Sequence, residues 1–112
     1  MMESNEEKLQ RLEFYQEILL TVMNNAYPFY ALIINNELSK SEVEDIYLLC
    51  TKLNNELKKQ KEEGFVTFLP LLTHFVGMLN YKLEPHETID ALYEQNIYRD
   101  LMAELKKIIR NP

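Results

Sequence analysis

Glycine is almost missing from this chain: among 112 residues only Gly64 and Gly77 occur. Tight turns with positive φ are therefore scarce, which disfavours β-hairpins and leaves helices joined by short links as the natural architecture. Cysteine is nearly absent too, and the lone Cys50 cannot form an intrachain disulfide, as fits a reducing compartment. Long apolar runs are lacking. The longest, Phe29 to Ile34, is far short of the ~20 residues that a membrane-spanning helix needs. The start, Met1-Met2-Glu3-Ser4-Asn5-Glu6-Glu7, is acidic and has no apolar signal stretch. Positive charge is outnumbered, with 12 Lys and Arg against 18 Asp and Glu. A net charge of −6 disfavours both a phosphate-binding surface and docking on anionic lipid. These absences lead us to expect a cytoplasmic protein that needs no nucleic acid and no membrane.

What the chain does have is apolar periodicity. Apolar residues make up 46% and charged residues 27%, enough to offset the entropy of ordering a single core. The length suits one helical domain over residues 1–112, with residues 1–4 a disordered or capping tail. Ser4 and Glu7 have capping-box spacing and predict a first helix from Asn5 to about Asn25. Leu9, Leu12, Leu19, Val22 and Met23 form its expected core face. Pro28 suits the first turn of a short second helix, ending near Asn35 and Asn36.

Ser39 and Glu42 repeat the capping box and open the longest helix, which Gly64 closes. Val43, Ile46, Cys50, Leu53 and Leu57 recur along it at three and four residues, and Tyr47, Leu48 and Leu49 fill the gaps. A helix apolar nearly all round should lie at the centre and be buried on most sides. Thr67 is the expected cap of a fourth helix from Phe68 to Lys82, Pro85 starts a fifth, and a sixth runs from about Tyr98 to Arg110. No β-period appears. The expectation is an all-α, compact multihelical bundle of five to six helices around a central long helix.

The candidate chemical motifs are weak. His86-Glu87-Thr88-Ile89-Asp90 is a broken zinc motif, with Asp90 where the second histidine belongs and His74 the only other histidine. Neither His74 nor His86 has a glutamate three residues before it, so the paired-metal pattern of helical bundles fails. Cys50 sits between Ile46 and Leu53 and reads as a small buried hydrophobe. Leu38-Ser39-Lys40-Ser41-Glu42 faintly suggests a helix-turn-helix, but Glu42, Glu44 and Asp45 would then face phosphates. Lys58 and Lys59 match a helix dipole and need no ligand. We accordingly assign no catalytic, cofactor-binding or metal-ligating residue, and expect no enzyme, cofactor or metal.

Seven tyrosines remain, at 15, 27, 30, 47, 81, 93 and 98, and they serve either as core edges or as an interaction surface. The first helix is apolar at Phe14, Tyr15, Ile18, Leu19, Leu20, Val22 and Met23, wider than a ~100° core stripe. That surplus predicts a homo-oligomer, dimer or trimer, with the first helix as the contact. The leading functional expectation is an interaction module that binds itself or an unidentified protein. The alternatives are a transcriptional regulator or its protein cofactor, and then an enzyme whose site is undetected.

Three segments carry a resemblance. Tyr27-Pro28-Phe29-Tyr30-Ala31-Leu32, Gly64-Phe65-Val66-Thr67-Phe68, and His86 to Ile89 with Ala91 to Gln95 resemble the YhaI-like family of small uncharacterised bacterial helical proteins. The resemblance spans roughly Leu9 to Met102. It implies an all-α fold and a bacterial cytoplasmic setting, and it transfers no functional residue.

Overall fold

A computed structural model describes residues 2–111. Six helices follow one another: α1 (Asn5–Ala26), α2 (Pro28–Asn35), α3 (Lys40–Glu62), α4 (Leu69–Met78), α5 (Pro85–Glu94) and α6 (Arg99–Arg110), with no strand among the described residues. The all-α expectation holds, and the helix starts show why. The Ser4 hydroxyl accepts from the Glu7 amide at 3.1 Å, and the full reciprocal box of Ser39 and Glu42 opens α3. Of the tail, Glu3 pairs with Arg11 at 2.8 Å and Ser4 caps α1; Met1 lies outside the described residues.

Three helices end in one motif. Beyond α3, the Phe65 amide donates to the Gln60 carbonyl at 2.9 Å and the Gly64 amide to Lys61 at 3.1 Å. This is a Schellman cap with Gly64 in the left-handed region at φ 88°. The same bond pair closes α2 around Glu37 (φ 54°) and α5 around Asn96 (φ 60°). Glycine is thus used once where the geometry asks for it three times.

The core is a continuous cluster formed by α2 to α6. Phe29, Ile46, Cys50, Leu53, Leu57, Phe75, Ile89, Leu92, Leu101, Met102 and Leu105 are almost wholly enclosed. α6 packs against α3, α4 and α5, while α2 lies on α5. Polar side chains also tie elements of the bundle together, and Gln95 does so at the start of α2. The Gln95 carbonyl oxygen accepts from the Phe29 amide at 2.8 Å and the Tyr30 amide at 3.3 Å. It supplies the cap that α2's own N-cap residue, Tyr27, does not provide.

Some expectations need correction. α3 buries one stripe, Ile46, Cys50, Leu53 and Leu57, and is not enclosed on most sides, since Leu48 stays 68% exposed. Thr67 does not cap α4, which begins at Leu69 with Phe68 as N-cap. Had Thr67 been the cap, Pro70 would occupy the third helical position and have no N–H for its hydroxyl. α4 also ends at Met78 and not Lys82. The Asn80 side chain accepts from the Lys82 amide at 2.9 Å, a local turn that competes with further helix. Tyr98 precedes α6 in the left-handed region at φ 50° and is held there from α3, its hydroxyl bonding Thr51 and the Tyr47 carbonyl.

The largest correction concerns α1. None of its residues is buried, so Leu9, Leu12, Leu19, Val22 and Met23 are no core face. The helix packs against α2, its neighbour in sequence, and otherwise extends away from the bundle. The molecule measures 68 × 24 × 19 Å with a radius of gyration of 17.5 Å, where a compact chain of this length has about 13 Å. A 22-residue helix is about 33 Å long, which accounts for the elongation.

Candidate functional site

The residues that sequence patterns single out for chemistry are dispersed and occupied with structural tasks. His86 and Glu87 lie in the first turn of α5, where their amides donate to the Glu84 carboxylate at 3.0 and 2.6 Å. Those two N–H groups hold Glu84 below the usual carboxylate range. Asp90 faces Lys106 at 3.3 Å, and His74 is half-buried on α4. Among the described residues no three His, Cys, Asp or Glu side chains come together. Cys50 is fully buried in the core, and burial pushes its thiol up to about 12.

Glu42 is similarly engaged. Its carboxylate accepts from Lys82 at 2.9 Å, Asn80 at 2.8 Å and the Ser39 amide at 2.9 Å, joining the start of α3 to the turn after α4. These bonds, the one from Lys82 first, lower its pKa to about 2. The N-terminal turn of α3 therefore presents a fixed carboxylate where a groove-reading helix would meet phosphate. Among the described residues every buried side-chain nitrogen or oxygen has a hydrogen-bond partner.

The tyrosines divide. Tyr47 and Tyr98 are half-buried against the core, and Tyr93 is half-buried with Arg99 and Lys106 at 4.4 and 4.3 Å from its ring centroid. Tyr81 is exposed. Tyr27 and Tyr30, at the joint between α1 and α2, stack on each other in the open with ring centroids 5.8 Å apart.

What stands out is apolar surface in the wrong place. Along α1, Leu9, Leu12, Phe14, Tyr15, Ile18, Leu19 and Val22 are all exposed, Val22 to 69%. At 100° per residue they cover an arc of about 220°, from Phe14 at one edge to Leu9 at the other. Arg11 stands within the arc, its guanidinium 5.4 Å from the Tyr15 ring centroid and paired with Glu3. The opposite face is polar, with Glu6, Gln10, Glu13, Glu17 and Asn24 at helical spacing. Soluble monomers seldom expose contiguous apolar patches above ~600 Å².

A second apolar surface lies between the start of α4 and the end of α6. Val66, Leu69, Leu72, Ile108 and Ile109 line an open groove of about 790 Å³, with His86 and Lys107 at its rim. The Leu69 side chain is exposed there, and this surface was not singled out from the sequence. The available signal was Val66, an apolar residue outside any helical stripe. Among the described residues no helix is long and apolar enough to cross a membrane, so neither surface is a spanning segment. The sequence profile of a family described as "Protein of unknown function (DUF1878)" matches residues 2–110, nearly the whole chain. The match takes in α1 and the bundle alike, and the chain belongs to the DUF1878 family.

Proposed function

We propose that this protein is a non-enzymatic interaction module that acts as a homo-oligomer, with α1 as the contact between copies. One observation carries the reading: a helix of 22 residues with an apolar arc and no buried side chain. Isolated helices in water are marginal, and most helical stability in proteins comes from packing an apolar face. α1 has that face, and its packing against α2 leaves most of it exposed. Seven exposed apolar side chains, each leaving roughly 100 Å² uncovered, amount to roughly 700 Å² per chain. That approaches the ~800 Å² per partner of a stable interface. The exposed Tyr27–Tyr30 stack continues the surface beyond the end of α1 with residues favoured at interfaces. A setting in the bacterial cytoplasm suits the lone cysteine and the YhaI-like segments.

Light scattering after gel filtration, at concentrations down to low micromolar, tests the reading. The expected mass is a multiple of 13.4 kDa, falling towards the single chain on dilution. Ile18→Glu and Leu19→Glu should each dissociate the assembly while leaving the bundle's circular dichroism and melting intact. A mass of 13.4 kDa at every concentration overturns the proposal.

A further inference from the structure

From the width of the α1 face we infer that α1 of one copy lies in the groove between α4 and α6 of another, its acidic start at the basic end of that bundle. The inference rests on the self-association proposed above and names the surface that receives α1. Width selects a groove. A single neighbouring helix meets a stripe of about 100°, whereas the exposed arc on α1 spans about 220°. A helix seated between two others meets two such stripes, and α4 and α6 supply the two walls. Tyr15, Ile18, Leu19 and Val22, all exposed, have the i, i+3, i+4, i+7 spacing of a helix that docks in an apolar groove. Phe14 on one side and Leu9 and Leu12 on the other then face the walls. A helical turn about 10 Å across and 5.4 Å high fills about 420 Å³, so the groove's 790 Å³ takes about two turns. Beyond it the α4 wall continues, with Leu69, Leu72 and Val76 at i, i+3 and i+7 and both Leu69 and Val76 exposed. Each copy gives one α1 and receives another. Its roughly 700 Å² on α1, together with the groove, then exceeds the ~800 Å² that a stable interface needs.

Position and charge point to another copy and set the direction. Gln95 ties the joint between α1 and α2 to the end of α5, whereas His86, at the start of α5, stands on the groove rim. α1 thus leaves the bundle at the end away from its own groove. Residues 3–7 hold three glutamates and no base, and residues 18–26 hold no charge. Residues 58–63 and 104–110, which close α3 and α6, hold six lysines and arginines against three glutamates. These two helix ends lie side by side, with Lys61 and Glu104 3.4 Å apart, and Lys107, Ile108 and Ile109 of the groove belong to the same end. In a chain of net charge −6 this end is the basic one, and it complements the start of α1.

Analytical ultracentrifugation of the full chain and its variants tests this. Leu69→Glu, at an exposed position, should raise the concentration for half-assembly at least about thirtyfold and leave the bundle's melting within about 2 °C. Val66→Glu, exposed and outside every helix, should act alike. Leu19→Glu should disrupt the same contact from the α1 side. Mixed, Leu69→Glu and Leu19→Glu retain one intact α1 and one intact groove between them. They should form a 1:1 complex of twice 13.4 kDa at concentrations where each alone is a single chain. Glu6→Lys should weaken assembly about threefold, and adding Lys107→Glu should restore it. Groove variants that assemble like wild type, or a mixture that stays as single chains, overturn the groove as the receiver of α1. Glu6→Lys that fails to weaken assembly overturns the direction. All of those results leave self-association through α1 standing. A single-chain mass for the wild type throughout overturns the inference and the function proposed above together.

Discussion

Two leucines on α3 offer a controlled test of where the core ends. Leu53 is fully enclosed by the cluster of α3 to α6, while Leu48, five residues earlier on the same helix, is 68% exposed. Replacing either by alanine makes the same chemical change, and the two residue types are nearly equal as helix formers. Burial alone separates the two variants. Leu53→Ala removes buried methyl groups and leaves a cavity, at a cost of about 3 kcal/mol. For a domain of this size that lowers the melting temperature by about 12 °C. Leu48→Ala should stay within about 0.5 kcal/mol, or about 2 °C. Thermal unfolding followed by circular dichroism at 222 nm, below the assembly concentration, measures both. Equal losses would refute the one-sided burial of α3, and so would a Leu53→Ala variant that melts like its parent.

Two other predictions concern charge and backbone. Glu42 has its pKa lowered to about 2 by Lys82, Ser39 and Asn80, so its contribution is complete above its unfolded value near 4.5 and is lost as pH falls towards 2. Between those limits the wild type should lose more stability than Glu42→Gln in urea titrations, and parallel losses would show that the network contributes nothing. Glu37→Gly relieves a left-handed residue in the cap of α2 and should stabilise the bundle by about 1 kcal/mol, whereas Gly64→Ala, at φ 88°, should destabilise it by a similar amount. Urea midpoints that move in the opposite directions would contradict the cap assignments.

How far the sequence discloses the structure depends on how local the determinant is. Ser4 with Glu7, Ser39 with Glu42, Pro28, Pro85 and Gly64 act within one turn of their own backbone, and they mark the helix ends where the structure has them. Thr67 misled because a cap is defined by the amides it meets, and Pro70 removes one of them. The end of α4 was hidden in the Asn80 side chain, which bonds the Lys82 amide and, across the fold, Glu42. Gln95 capping α2 from a distant helix left no local trace. The α1 stripe is the most instructive case. Its 3.6-residue period shows that the face must be covered, and is identical whether the cover is the same chain or another copy. The surplus width was visible in Phe14 and Ile18, but the placement of the whole helix outside the core was not.

The central claim is that α1 finds its packing in other copies of the chain, and hydrogen exchange along α1 tests it most directly. Backbone amides of a helix without tertiary packing open with a free energy near zero, whereas those in a packed assembly approach the global stability. At a concentration where the wild type is assembled, the amides of residues 9–26 should be protected nearly as well as those of α3. In Leu19→Glu at the same concentration they should exchange within seconds, while α3 to α6 keep their protection. Amides of α1 that exchange freely in the wild type at every concentration, or that stay protected in Leu19→Glu, would contradict the account.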